Sequence, residues 1–95
     1  MKENYAYPID PDWSKEQLLA AMKIFSDVEA AYENQLNVQA FLSDWREYQR
    51  AIPMKMDQKK IDREFEQTTS YSIYQVMKAA RNSTRNTIRL EADKR

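Results

Sequence analysis

A chain of 95 residues with no histidine, no cysteine and no glycine lacks most of the side chains and backbone freedom from which catalytic sites are assembled. Without His, no side chain has an ordinary pKa near neutrality; without Cys, there is no thiolate nucleophile or thiolate zinc site; without Gly, the GxxxxGK and GxGxxG phosphate loops and the GxSxG elbow cannot be written. Fifteen basic and fifteen acidic residues cancel, so no global field draws the protein onto nucleic acid or an anionic membrane, and any electrostatic partner must be recognised by a local patch.

Abundant carboxylates leave an oxygen-ligated metal open in principle. An EF-hand loop needs its Gly, however, and a di-iron bundle its Glu-x-x-His pairs, so neither a metal nor another cofactor is expected. By surface scaling, a chain of this size buries about two thirds of its surface, which provides for one small core. No segment approaches the ~18 consecutive apolar residues of a membrane span, and the start of the chain has no apolar leader region. The expected location is cytoplasmic.

Residues 1–13 hold Tyr5, Tyr7, Pro8, Ile9, Pro11 and Trp13 with Asp10 and Asp12 between them, an extended aromatic and proline arm. One reading lays this arm over the open end of a helical core, with Trp13 inside; the other has Tyr5 and Tyr7 present a sticky surface to a partner.

The first helix is expected over about 14–33. Ser14, Lys15, Glu16 and Gln17 spell a capping box, with Trp13 and Leu18 in the positions of a hydrophobic staple. Leu18, Ala21, Met22, Phe25, Val28 and Tyr32 recur at three- and four-residue spacing, and Asn34 is a candidate left-handed stop. A second helix, 37–51, starts at a capping Asn37 with Leu36 and Phe41 as its staple, continues through Val38, Leu42, Trp45 and Tyr48, and is stopped by Pro53, which disfavours helical geometry at Ile52.

A third, 58–69, is expected to start at Asp57 with Met56 and Ile61 as its staple, and to bury Ile61, Phe65 and Thr68. The fourth, 72–81, repeats the full device: Ser72 to Gln75 form a capping box, Tyr71 and Val76 the staple, and Ile73, Val76, Met77 and Ala80 the buried face. No segment alternates convincingly at period two. Short connections then imply an all-α, compact four-helix bundle forming one domain over residues 1–81.

Residues 78–95 carry six basic against two acidic side chains. The basic tail, 82–95, is either a helical extension or a frayed, disordered end able to fold onto the acidic body of the protein. If helix 4 ran on, Arg81, Arg85 and Arg89 would share a face at i, i+4 and i+8, mildly self-repelling unless an anion or an acidic surface lay across it. The carboxylate pairs Glu29 with Glu33 and Glu64 with Glu66 read as solvated helix faces.

Tyr7, Pro8, Ile9 and Asp10, then Asp12, Trp13 and Ser14, followed by Phe25, Val28, Glu29, Ala31, Tyr32 and Glu33, the run Arg63 to Glu66, the run Tyr71 to Tyr74, and Val76 to Lys78 stand in an order and spacing that resembles the uncharacterised protein family 0223, small proteins of low-GC Gram-positive bacteria. The likeness covers about residues 3–80. It implies an all-helical cytoplasmic domain, and it brings no activity, cofactor or catalytic residue with it. Two departures are visible: Ser70 stands where the resemblance leads one to expect Gly, and the Arg-rich end runs past the shared region.

These observations point to a non-enzymatic module that binds another protein or itself, with Tyr5, Tyr7, Arg81, Arg85 and Arg89 as candidate interaction residues. A nucleic-acid accessory protein using the Arg-rich end is the disfavoured alternative, because the patch lacks interleaved aromatics. An enzyme using paired carboxylates would need a buried acid lining a pocket.

Overall fold

The computed structural model describes residues 7–91. In chain order it contains α1 (Lys15–Glu33), β1 (Leu36–Asn37), α2 (Val38–Ala51), α3 (Lys55–Thr69), α4 (Ile73–Asn82) and β2 (Thr87–Ile88).

The α1 start forms as its sequence dictates. Ser14 Oγ accepts from the Gln17 amide at 3.1 Å, and Gln17 Oε1 accepts from the Ser14 amide at 2.9 Å. The same Gln17 also donates through Nε2 to the carbonyl of Ala51 at 3.0 Å, so the box of one helix satisfies an orphan carbonyl at the end of another. Asn37 caps α2 by accepting from the Ala40 amide at 2.9 Å, and Ile52 before Pro53 leaves the helical region at φ −127°, ψ 78°.

Several local expectations are corrected. Asn34 ends α1 at φ −150°, ψ −118°, not in a left-handed turn; the one positive φ among the described residues is at Ser70, φ 69°, the position where Gly was expected. Helix α3 begins earlier than 58, with Met54 as its N-cap and no side-chain cap. Asp57 lies in its first turn, where a negative charge complements the helix dipole, and Met56 is exposed, so the Met56–Ile61 staple does not form. Gln58 Nε2 supplies the missing local bond by donating to the Ile52 carbonyl at 2.7 Å.

Thr68 is exposed; its neighbour Thr69 is buried and donates through Oγ1 to the Phe65 carbonyl at 2.8 Å. At α4 one half of the predicted box is present, Ser72 Oγ accepting from the Gln75 amide at 3.1 Å. The Ser72 amide donates to Tyr32 Oη at 3.3 Å instead of to a Gln75 side chain.

The end of the chain departs most from expectation. Helix α4 stops at Asn82, where Ser83 Oγ accepts from the Arg85 amide at 3.0 Å and turns the backbone. β2 then pairs antiparallel with β1, Leu36 opposite Ile88 and Asn37 opposite Thr87. Beside the ladder, the Val38 amide donates to the Asn86 carbonyl at 2.8 Å and the Leu90 amide to the Ala31 carbonyl at 2.9 Å. Val38 opens α2 and Ala31 lies in the last turn of α1, so this segment satisfies one orphan group at each of two helix ends. Two-residue strands are too short to announce themselves by alternation.

The core joins all four helices. Phe25 of α1 and Phe65 of α3 stack with centroids 5.0 Å apart and 11° between planes. Ile24, Val28, Phe41, Tyr48, Ile73 and Val76 are the other large side chains fully withdrawn from solvent. Tyr32 and Tyr71 stack at 4.5 Å, and Ile88 and Leu90 pack against the same cluster. Trp13 is half-buried at its edge rather than inside it.

Candidate functional site

A groove of about 200 Å³ lies between the second half of α2, one face of α3 and α4. Helical spacing places its residues. Trp45 and Tyr48 are one turn apart on α2; Lys55, Lys59 and Asp62 recur at i, i+4 and i+7 on α3; Tyr74, Met77 and Arg81 do so at i, i+3 and i+7 on α4.

Its inner wall is aromatic and apolar, and its rim is charged. Trp45 and Tyr48 lie with ring centroids 5.2 Å apart and are 7% and 1% exposed. Trp45 Nε1 and Tyr48 Oη have no hydrogen-bond partner among the described residues. An indole N–H can only donate. Burial, reinforced by the charges of Asp62 and Asp57, pushes the Tyr48 hydroxyl above its ordinary pKa, so it too remains a protonated donor. Leaving such groups unpaired costs about 1 to 3 kcal/mol each, an outlay that native proteins avoid unless the group has a use.

Asp62, half-buried, is already engaged. Its Oδ1 accepts from the Ile73 amide at 2.9 Å, at the start of α4. Desolvation raises its pKa, and the amides of Ile73 and Tyr74 oppose that rise. Lys55, Lys59 and Arg81 are exposed around it. The groove thus offers donors and positive charge, and its one lining carboxylate serves a helix end.

The residues singled out from the sequence are dispersed. Tyr5 lies outside the described residues. Tyr7 faces inward: its ring sits 5.1 Å from that of Phe25 and 6.1 Å from that of Phe65, and its hydroxyl donates to Glu29 Oε2 at 2.7 Å. Glu29, read as solvated, is therefore corrected to a buried residue, 6% exposed; Glu33 is exposed and accepts from Tyr71 Oη at 2.7 Å. Glu64 and Glu66 are exposed. Because α4 ends at Asn82, the three arginines do not share a helical face: Arg81 stands on the groove rim, whereas Arg85 and Arg89 border a separate cleft beside β2.

A second electrostatic feature escaped sequence reading. Asp27 of α1 and Asp44 of α2 meet across the helix interface, and Asp27 is pushed up to about 8 by desolvation, by its side-chain hydrogen bond with Asp44 and by the Asp44 charge, with Lys23 opposing. Asp27 Oδ2 is buried and has no hydrogen-bond partner among the described residues. Neither residue lines the groove. Among the described residues no group of three or more acidic side chains is placed to hold a metal ion, and no helix is long and apolar enough to cross a membrane.

Comparison with known proteins places this architecture among bacterial relatives. The UPF0223 protein of Streptococcus agalactiae serotype V is 38% identical over 90 residues, covering 95% of this chain and 97% of its own. That of Streptococcus gordonii is also 38% identical, covering 95% and 98%, and one from Streptococcus pneumoniae strain CGSP14 is 36% identical with the same coverage. The family model matches residues 4–89, so the shared region runs past the likeness drawn from sequence and takes in β2, Arg85 and Arg89. With that match and those relatives, the chain belongs to the uncharacterised protein family UPF0223.

Proposed function

We propose that the protein is a cytoplasmic, non-enzymatic binding module whose working surface is the groove between α2, α3 and α4, and that this groove takes one protruding side chain of a protein partner. The observation that carries the reading is the pair of buried donors, Trp45 Nε1 and Tyr48 Oη, left without acceptors in the wall of a concavity. Size supports it. At about 200 Å³ the groove falls below the ~300 to 1,000 Å³ of sites for drug-sized ligands, yet it suits the single anchor residue around which protein interfaces are organised. Half-exposed Tyr74 and half-buried Met77 flank the entry, and Met54 and Met56, both exposed, flank Lys55 in sequence; flexible, polarisable methionines adapt to a partner's shape.

A photo-cross-linking amino acid placed at Tyr74 tests the proposal. In the native cell it yields a discrete adduct with one identified protein, which Met77→Lys abolishes while the same probe at Leu19, exposed on α1, gives none. Equal adducts from positions 74 and 19, or none from 74, would rule the groove out.

A further inference from the structure

Resting on that reading, we infer that the groove's partner is an acidic peptide segment: an apolar anchor side chain against Trp45, Ile73 and Met77, with carboxylates beside it on Lys55, Lys59 and Arg81. Every group in the groove still seeking a partner asks for the same chemistry. The buried indole N–H and phenol O–H require acceptors. The three rim cations have no ion pair among the described residues, where the one bridge formed joins Lys23 to Glu47 at 3.3 Å, away from the groove. Among the residues that line the groove one carboxylate, Asp62, faces three positive side chains, and its Oδ1 is engaged at the start of α4.

A basic occupant would place its own charge against like charge, and a neutral one would leave the rim cations unpaired. An acidic segment supplies carboxylates for the rim and a carbonyl or carboxyl oxygen for the buried protons. Both donor atoms are sealed from solvent, so the occupant reaches them as the rim side chains rotate. Lys55, Lys59 and Tyr74 are exposed, and exposed side chains change rotamer on the picosecond to nanosecond scale without disturbing a core.

The experiment is a nitrogen-15 NMR titration of the full chain, which has two indole N–H signals, Trp45 in the groove and Trp13 as internal control. The probes are an acetylated, amidated pentapeptide with one phenylalanine between two pairs of glutamates, and the same peptide with glutamines in place of glutamates. The glutamate peptide is expected to move the Trp45 signal saturably, to bind at least about tenfold more tightly than the glutamine peptide, and to weaken as salt rises, since exposed charges are screened. Lys55→Glu with Lys59→Glu abolishes the difference between peptides. Tyr48→Phe weakens the glutamate peptide severalfold while leaving the fold at least as stable, because it deletes a hydroxyl that has no internal partner.

Equal binding of both peptides overturns the acidic assignment and leaves the groove as a binding surface. Movement of Trp13 alone, or of neither indole, overturns the inference as well, and the adduct at position 74 then decides separately whether the groove binds anything.

Discussion

Ser70 ends α3 in the left-handed region, at φ 69°, ψ 10°, with its amide donating to the Glu66 carbonyl at 2.8 Å. A residue with a Cβ pays about 1 to 2 kcal/mol to stand there, because Cβ crowds the following carbonyl oxygen. Glycine removes that crowding but adds freedom to the unfolded chain, which takes back about 0.4 to 1 kcal/mol. The side chain of Ser70 is exposed and makes no hydrogen bond among the described residues, so no side-chain bond there is lost. Ser70→Gly is therefore expected to stabilise the fold by about 0.5 to 1 kcal/mol, or about 2 to 8 °C in Tm for a domain of this size. Ser70→Ala keeps the strain and changes little, while Ser70→Val, branched at Cβ, lowers Tm. Thermal unfolding followed by circular dichroism at 222 nm reads all three. A Tm for Ser70→Gly at or below that of the parent chain would refute the reasoning, showing that the turn is held by the Thr69 bonds to Phe65 and Tyr71 without strain at Ser70.

Asp27 makes stability depend on pH in the direction opposite to an ordinary paired carboxylate. Its folded pKa of about 8 lies above the unfolded value of 3.8, so the folded state binds the extra proton; the associated stability is complete below about pH 4, declines as pH rises, and is gone above about pH 8. Asp27→Asn keeps a donor for Asp44 at every pH, so its unfolding free energy from urea titration is expected to exceed the parent's at pH 8 by about 1 to 2 kcal/mol, discounted for the half-exposed site, and to converge with it near pH 4. Tyr7→Phe removes the hydroxyl bound to buried Glu29 and is expected to cost about 1 to 2 kcal/mol in urea unfolding; no loss would return Tyr7 to the role of surface residue. Truncation after Arg85 strips Ile88 and Leu90 from the core and frees the Ala31 carbonyl and Val38 amide, and is expected to cost about 2 to 4 kcal/mol, with hydrogen exchange accelerating first at Val38.

The parts of the fold legible in the sequence were those written at short range. The Ser14 box, the Asn37 cap and the Pro53 stop each involve residues within four positions of one another, and they form where expected. Asp57 is not the cap, because α3 starts three residues early at Lys55, with Met54 at its N-cap and Gln58 reaching back to the Ile52 carbonyl. The candidate site was read only in pieces. Trp45 and Tyr48 were identified as core, correctly by burial, but nothing in their spacing reveals that their polar atoms end without acceptors.

Composition and local pattern alone determined that the chain is helical and where three of its four helices begin, since caps and the 3.6-residue period act within a turn or two; the resemblance to the family added that Ser70 stands in a place suited to glycine. Tertiary structure decided the rest: that Ser72 finds its partner in Tyr32, 40 positions away, that the basic end folds back as a strand across two helix ends, that Glu29 is buried while burial beside Asp44 raises the pKa of Asp27, and that α2, α3 and α4 enclose a donor-lined groove. Burial and charge are properties of who the distant neighbours are, and distance along the chain carries no record of them.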